Sequence, residues 1–321
     1  MSIPNELKES RVLVLGSAGL VGSCLIRELS LANCKNVIAV YHKKTPIFYN
    51  GISYKQADLT DKKKCYEIMK NVDYVFNVAA FVGGAKLMTE NPVSLITNNI
   101  IMTCNILEAA YNSGVKKLLY LSSTTIYPES NEEMIEEQGF EGDPYYKYFQ
   151  IGWVKRYGET LCNFYSTKII PSIPYIVLRP SNIYGPNDRF HPENSHVLAS
   201  LIRKVVEKQD PIKVWGNGKE IRDLIFVDDM VEAIFLAFEK INIYDPINIG
   251  YGKTYSVNQL LDMIMETENY HAKIIYDETK PTMIPIRKIS IEKAKKLLNF
   301  EPKISMEEGI KRTISWYKEN R

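Results

Sequence analysis

The chain has 321 residues, and none of its apolar runs approaches the roughly eighteen residues of a membrane-spanning helix. A helical membrane protein is therefore excluded. The stretch Met1-Ser2-Ile3-Pro4-Asn5-Glu6-Leu7-Lys8 lacks the apolar core of a signal peptide, so a cytoplasmic chain is expected. Charge of one sign is scarce too: the net charge is only +2, and Lys and Arg are spread evenly. That gives no basic stripe and no reason to expect nucleic acid as a partner. The five cysteines, Cys24, Cys34, Cys65, Cys104 and Cys162, show neither metal-ligand nor redox spacing. An odd number of scattered thiols suits a reducing compartment, with free and mostly buried cysteines and no metal. No internal repeat or low-complexity segment is present. The length allows one large or two coupled domains.

What is present is a glycine turn between a strand and a helix. Arg11-Val12-Leu13-Val14-Leu15 reads as a strand buried on both faces. Gly16-Ser17-Ala18-Gly19-Leu20-Val21-Gly22 follows and opens into a helical pattern. A dinucleotide pyrophosphate needs backbone N–H groups at a helix N-terminus and no side chains in the way. Strand and helix patterns then alternate. Strands are expected at Val37–Val40, Ile52–Gln56, Tyr74–Ala80, Lys117–Ser122 and Val177–Arg179. Helices are expected from the Asp61 cap to Met69, from Pro92 to Asn112, and from Pro144 to Thr167. Such alternation predicts an α/β protein with a Rossmann-type, doubly wound parallel sheet. The expected division is a dinucleotide-binding domain over residues 1–180 and a smaller substrate-binding α/β domain over 181–321. Some elements of the second part return to the first.

The end of the second strand chooses between cofactors. An acid there binds the ribose of NAD, whereas cations accommodate the 2′-phosphate of NADP. Here it runs into Tyr41-His42-Lys43-Lys44, which favours NADP with NAD as the alternative. Asp58-Leu59 falls where an adenine would lie, and Asn77-Val78-Ala79-Ala80 ends a strand beside the cofactor.

With these segments, Leu121-Ser122-Ser123 and Arg179-Pro180-Ser181-Asn182-Ile183-Tyr184-Gly185-Pro186, the sequence resembles the extended short-chain dehydrogenase/reductase superfamily. Within it, three stretches resemble the GDP-L-fucose synthase group and neighbouring nucleotide-sugar epimerases and reductases. They are Ser123–Pro128, Phe190–Val197 and Trp215–Asp223. The resemblance implies a nucleoside diphosphate sugar with chemistry at C4 of the hexose, extending to C3 and C5, and a homodimer formed through the helices near 92–112 and 144–167.

The same resemblance implies the site. Ser123 takes the serine role, and Lys155 takes that of the lysine which binds nicotinamide ribose and lowers a tyrosine pKa. The tyrosine position, four residues before Lys155, holds Ile151, which carries no proton. Tyr148 lies three residues earlier on a similar helix face and is a substitute candidate. A cysteine that pairs with histidine for C3/C5 epimerisation is replaced by Thr125, while the histidine is present as His196. Substrate contacts are expected from Asn182, His196, Arg203, Lys204, Trp215, Arg222 and Arg287, the arginines through their bidentate fork to phosphate. The expected activity is an NAD(P)-dependent reductase or epimerase on a keto sugar carried by GDP. Two other readings share these residues. One is a nucleotide-sugar 4,6-dehydratase or dehydrogenase. The other is a binder that has lost its proton relay.

Overall fold

The structure is a computed structural model that describes residues 1, 3–81, 92–192 and 195–321, without the side chains of Pro92 and Ser94. Glu193 and Asn194, within one of the stretches above, lie outside the described residues. In chain order the first part comprises α1 (Glu6–Glu9), β1 (Arg11–Leu15), α2 (Leu20–Leu31), β2 (Asn36–Tyr41), β3 (Ile52–Gln56), α3 (Lys62–Met69), β4 (Tyr74–Asn77), α4 (Pro92–Asn112), β5 (Lys117–Leu121), α5 (Phe149–Thr167) and β6 (Tyr175–Pro180). The second comprises β7 (Asn182–Tyr184), α6 (Val197–Val206), β8 (Ile212–Trp215), β9 (Ile221–Phe226), α7 (Val227–Lys240), β10 (Ile247–Ile249), β11 (Thr254–Ser256), α8 (Val257–Thr267), β12 (Ile274–Asp277), β13 (Ile286–Arg287), α9 (Glu292–Leu298) and α10 (Met306–Asn320).

Seven parallel strands form one sheet in the order β10-β6-β5-β4-β1-β2-β3. The order reverses beside β1, and the crevice at the carboxyl ends of β1 and β4 is where such sheets bind ligands. Alternate residues of β1 feed two cores. Val12 and Val14 pack with Leu25 and Leu29 of α2 and with Phe235 and Phe238 of α7. Leu13 and Leu15 face Ile68 of α3, Ile106 and Leu107 of α4, and Cys162 of α5. With helices on both faces, the strands read as continuous apolar runs. Phe76 of β4 is wedged between Phe235 and Phe238, with ring centroids at 6.1 and 4.8 Å. Truncating such a ring to alanine costs about 3–5 kcal/mol.

The remaining strands lie over the carboxyl edge. β9 pairs with β7, β11 and β13 in a small sheet, and β8 pairs with β12. All five cysteines are free, and Cys104 alone among them is not buried.

One expected element is corrected. The helix placed at Pro144 begins at Phe149, preceded by a 3-10 turn over Tyr146–Tyr148. The Tyr145 N–H donates to the Tyr127 carbonyl at 3.2 Å and holds the chain extended there. Tyr148 is therefore the N-cap residue of α5 and not part of its helical face.

Candidate active site

The glycine turn is shaped by close approach. Gly16 has φ +85°, and a Cβ there would stand 2.8 Å from the Ala79 Cα. A Cβ on Gly22 would stand 2.1 Å from the Gly16 carbonyl oxygen. The Ser17 hydroxyl donates to the Val40 carbonyl at 2.9 Å and ties the turn to β2. α2 starts from Gly19 with no side-chain cap and no acid in its first turn, which Leu20, Val21 and Gly22 form. Its amides are thus open to an anion, and these residues fit a pyrophosphate. Ala18 completes the turn. Ala79, Ala80 and Leu121 are half-buried at the ends of neighbouring strands.

Just past β3, Leu59 is buried and Asp58 accepts from the Thr60 N–H at 2.9 Å and hydroxyl at 2.7 Å. Those bonds hold the Asp58 carboxyl below the ordinary carboxylate range. His42 Nε2 lies 3.7 Å from the other Asp58 oxygen, and Lys43 is exposed.

Ser123 follows β5 and its hydroxyl accepts the Thr125 N–H at 3.1 Å. Its orientation is set from beneath. Ser122 donates inward to Glu159, which pairs with Arg179 at 2.7 Å, both fully buried. Arg179 also donates to the Tyr127 hydroxyl at 3.0 Å, and Tyr127 donates to Asn248 at 2.6 Å. A buried ion pair needs such full satisfaction to persist. With Ser122 anchored inward, Ser123 lines a cleft together with Thr125, Tyr148, Asn182, Arg222 and Arg287. The Thr125 hydroxyl is buried there without a hydrogen-bond partner among the described residues.

Arg222 and Arg287 meet through the pairing of β9 with β13. Both are buried, and they donate only to carbonyls: Arg222 to Ile221 and Pro285, Arg287 to Pro128 and Tyr127. Burial pulls both guanidinium pKa values down, that of Arg287 to about 10, so both stay charged at neutral pH. Neither forms a salt bridge among the described residues, although Glu220 acts on Arg222 and Glu129 on Arg287 at longer range; such a pair of buried cations suits an anion.

Lys155 lies on α5 and is buried. Its Nζ donates to the Leu121 carbonyl at 2.8 Å and stands 5.0 Å from the Tyr120 ring centre. Burial pushes its pKa down to about 8, against the pull of Glu159 and Cys162.

Four expected contacts stand apart from this cleft. His196 caps α6, half exposed, with Nδ1 3.1 Å from Asp188. Desolvation opposes its charged form, yet the Asp188 hydrogen bond carries its pKa above the ordinary value. Arg203 pairs with Glu207 at 2.9 Å, Lys204 donates to the Lys213 carbonyl, and Trp215 is exposed at the end of β8. The cleft also contains Thr124, Ser181 and Ile284, which sequence reasoning did not single out as site residues. Ser181 had a signal, since it lies beside Asn182 within the quoted motif. Ile284 had none.

The GDP-L-fucose synthase 1 of Arabidopsis thaliana is 31% identical over 98% of this chain and 94% of its own. A UDP-glucose 4-epimerase of Thermotoga maritima, solved with UDP-glucose, is 27% identical with a TM-score of 0.87, covering 96% of this chain and 99% of that one. A GDP-L-fucose synthetase of Naegleria fowleri is 25% identical with a TM-score of 0.82, over 99% of this chain and 95% of that one. A family profile matches residues 12–250, and the glycine turn, β5 and Arg179 all fall within that span. The chain belongs to the NAD dependent epimerase/dehydratase family.

Proposed function

We propose that the protein is a reductase of a GDP-linked 4-keto sugar that uses NADPH. The observation that carries this reading is the buried Arg222–Arg287 couple, in no salt bridge among the described residues, beside Ser123 at the carboxyl ends of the parallel strands. The two guanidinium groups suit a diphosphate, which would set the sugar between them and Ser123. Asn182 adds an amide to the same wall. GDP is favoured by the similarity to the plant synthase and the Naegleria protein.

NADPH is the cofactor in this reading because β2 runs into His42, Lys43 and Lys44 and no acid follows directly. When bound, it supplies a hydride. The chain's own part is to bind the pyrophosphate at α2, hold the ketone at Ser123 and return a proton to its oxygen. C3/C5 epimerisation is not part of the reading. Thr125 replaces a thiol with a weaker acid, and His196 stands outside the cleft. The protein also pairs as a homodimer in this reading, since Phe149, Trp153, Tyr157 and Phe164 leave an exposed aromatic stripe along α5.

The test follows loss of reduced-nicotinamide absorbance with NADPH and a GDP-linked 4-keto hexose, with the UDP-linked counterpart alongside. Turnover of the GDP sugar supports the reading. Binding of both without turnover contradicts it.

A further inference from the structure

We propose that Tyr148 is the proton donor to the sugar oxygen, in place of a residue at position 151; this rests on the reductase reading above. Three observations place it there. Tyr148 lines the same cleft as Ser123, Thr125, Arg222 and Arg287, whereas Ile151 does not. It closes the 3-10 turn over Tyr146–Tyr148 and is the N-cap residue of α5, ahead of the first helical turn that carries Ile151. Lys155 is committed elsewhere, with its ammonium on the Leu121 carbonyl and against the Tyr120 ring.

The surroundings suit an acid. The charged and titratable groups around the phenol are Arg222 on β9, Arg287 on β13 and Tyr145 on the preceding turn, whose ring centre is 5.8 Å away. Burial raises the Tyr148 pKa, so the phenol holds its proton at neutral pH. Arg222, Arg287 and the Ile284 backbone amide act in the opposite sense and favour the phenolate once it forms. In the ligand-free protein the two guanidinium groups that would meet the phosphates thus also lie close enough to Tyr148 to act on its phenol.

The step balances. The keto carbon gains a hydride with its electron pair from reduced nicotinamide, which is oxidised. The carbonyl π pair moves to oxygen, the Tyr148 O–H bond breaks, and its proton completes the sugar hydroxyl. The phenolate recovers a proton from water.

The experiment compares wild type, Tyr148→Phe and Ile151→Tyr with NADPH and a GDP-linked 4-keto hexose, and titrates each with GDP by calorimetry. Tyr148→Phe should lower kcat by about a hundred- to ten-thousand-fold, the usual worth of a general acid. KM and GDP affinity should stay within about threefold, and the solvent isotope effect on kcat should change. Ile151→Tyr should leave kcat within about threefold, because an acid is already present. A Tyr148→Phe protein with wild-type kcat overturns the proposal while the reductase reading survives. So does one that loses GDP affinity and keeps kcat, which marks a positioning role. A folded wild type that binds GDP but turns over no 4-keto sugar removes the reductase reading, and the acid with it.

Discussion

Arg287 stands in register beside Arg222 on the neighbouring parallel strand, both side chains buried and neither in a salt bridge among the described residues. Like charges in that position destabilise a protein that holds no anion between them. The pair makes sense as a binding device whose cost a ligand's phosphates offset.

Replacing one member separates stability from binding. Arg287→Met removes a buried charge that makes only two long bonds to carbonyls, at 3.2 and 3.3 Å. The expected outcome is a higher melting temperature without ligand. GDP affinity should fall roughly 10- to 150-fold, the loss of about 1.5–3 kcal/mol for a hydrogen bond to a charged group. Thermal scans with and without GDP check both parts.

Lys155 gives a pH signature. Its folded pKa of about 8 lies below the ordinary 10.5 because the ammonium is buried. Below pH 8 it is charged in both states, and the full cost of burying it, on the order of 3 kcal/mol, is present. Between pH 8 and 10.5 the unfolded chain keeps a proton that the folded one has lost, so stability from this group rises with pH. Lys155→Met should therefore stabilise the ligand-free protein at pH 7 and do so much less at pH 10. Denaturant unfolding at the two pH values measures the difference.

Gly22→Ala should damage both fold and cofactor site. The added methyl meets the Gly16 carbonyl at 2.1 Å, and backbone on both sides must move. The expected cost is about 1–3 kcal/mol, as for other overpacked sites. NADPH binding followed by fluorescence should weaken further than melting alone explains, because the displaced amides are those that face phosphate.

The sequence showed the first half of the sheet clearly, for local reasons. Glycines at 16, 19 and 22 after an apolar run, and Asp61 capping α3 through the Lys63 and Lys64 amides, are signals carried within a few residues. The start of α5 was missed because its cause is remote: the Tyr127 carbonyl takes the Tyr145 N–H. The short strands β7, β11 and β13 contain too few residues to show alternation. For the same reason the meeting of Arg222 with Arg287 was not legible, since cross-strand register alone creates it. His196 lies in a matching stretch, and the contact of its ring with Asp188, eight residues earlier, was not legible from residue type alone.

The aromatic stripe on α5 predicts self-association. Trp153→Glu places a charge between Phe149 and Tyr157 on an exposed face, so folding should persist while a dimer is lost. Light scattering at micromolar concentration should report a dimer for wild type and a monomer for the variant. A wild-type monomer contradicts the pairing.

The most direct test of the reductase reading is the fate of the hydride. The protein is incubated with NADPH deuterated at the transferable nicotinamide position and a GDP-linked 4-keto hexose, and the sugar product is analysed by mass spectrometry and NMR. The expected product carries one deuterium bonded to C4, and none appears at C3 or C5 when the label is supplied as heavy water instead. A product without deuterium at C4, or no product from a protein that binds both ligands, contradicts it.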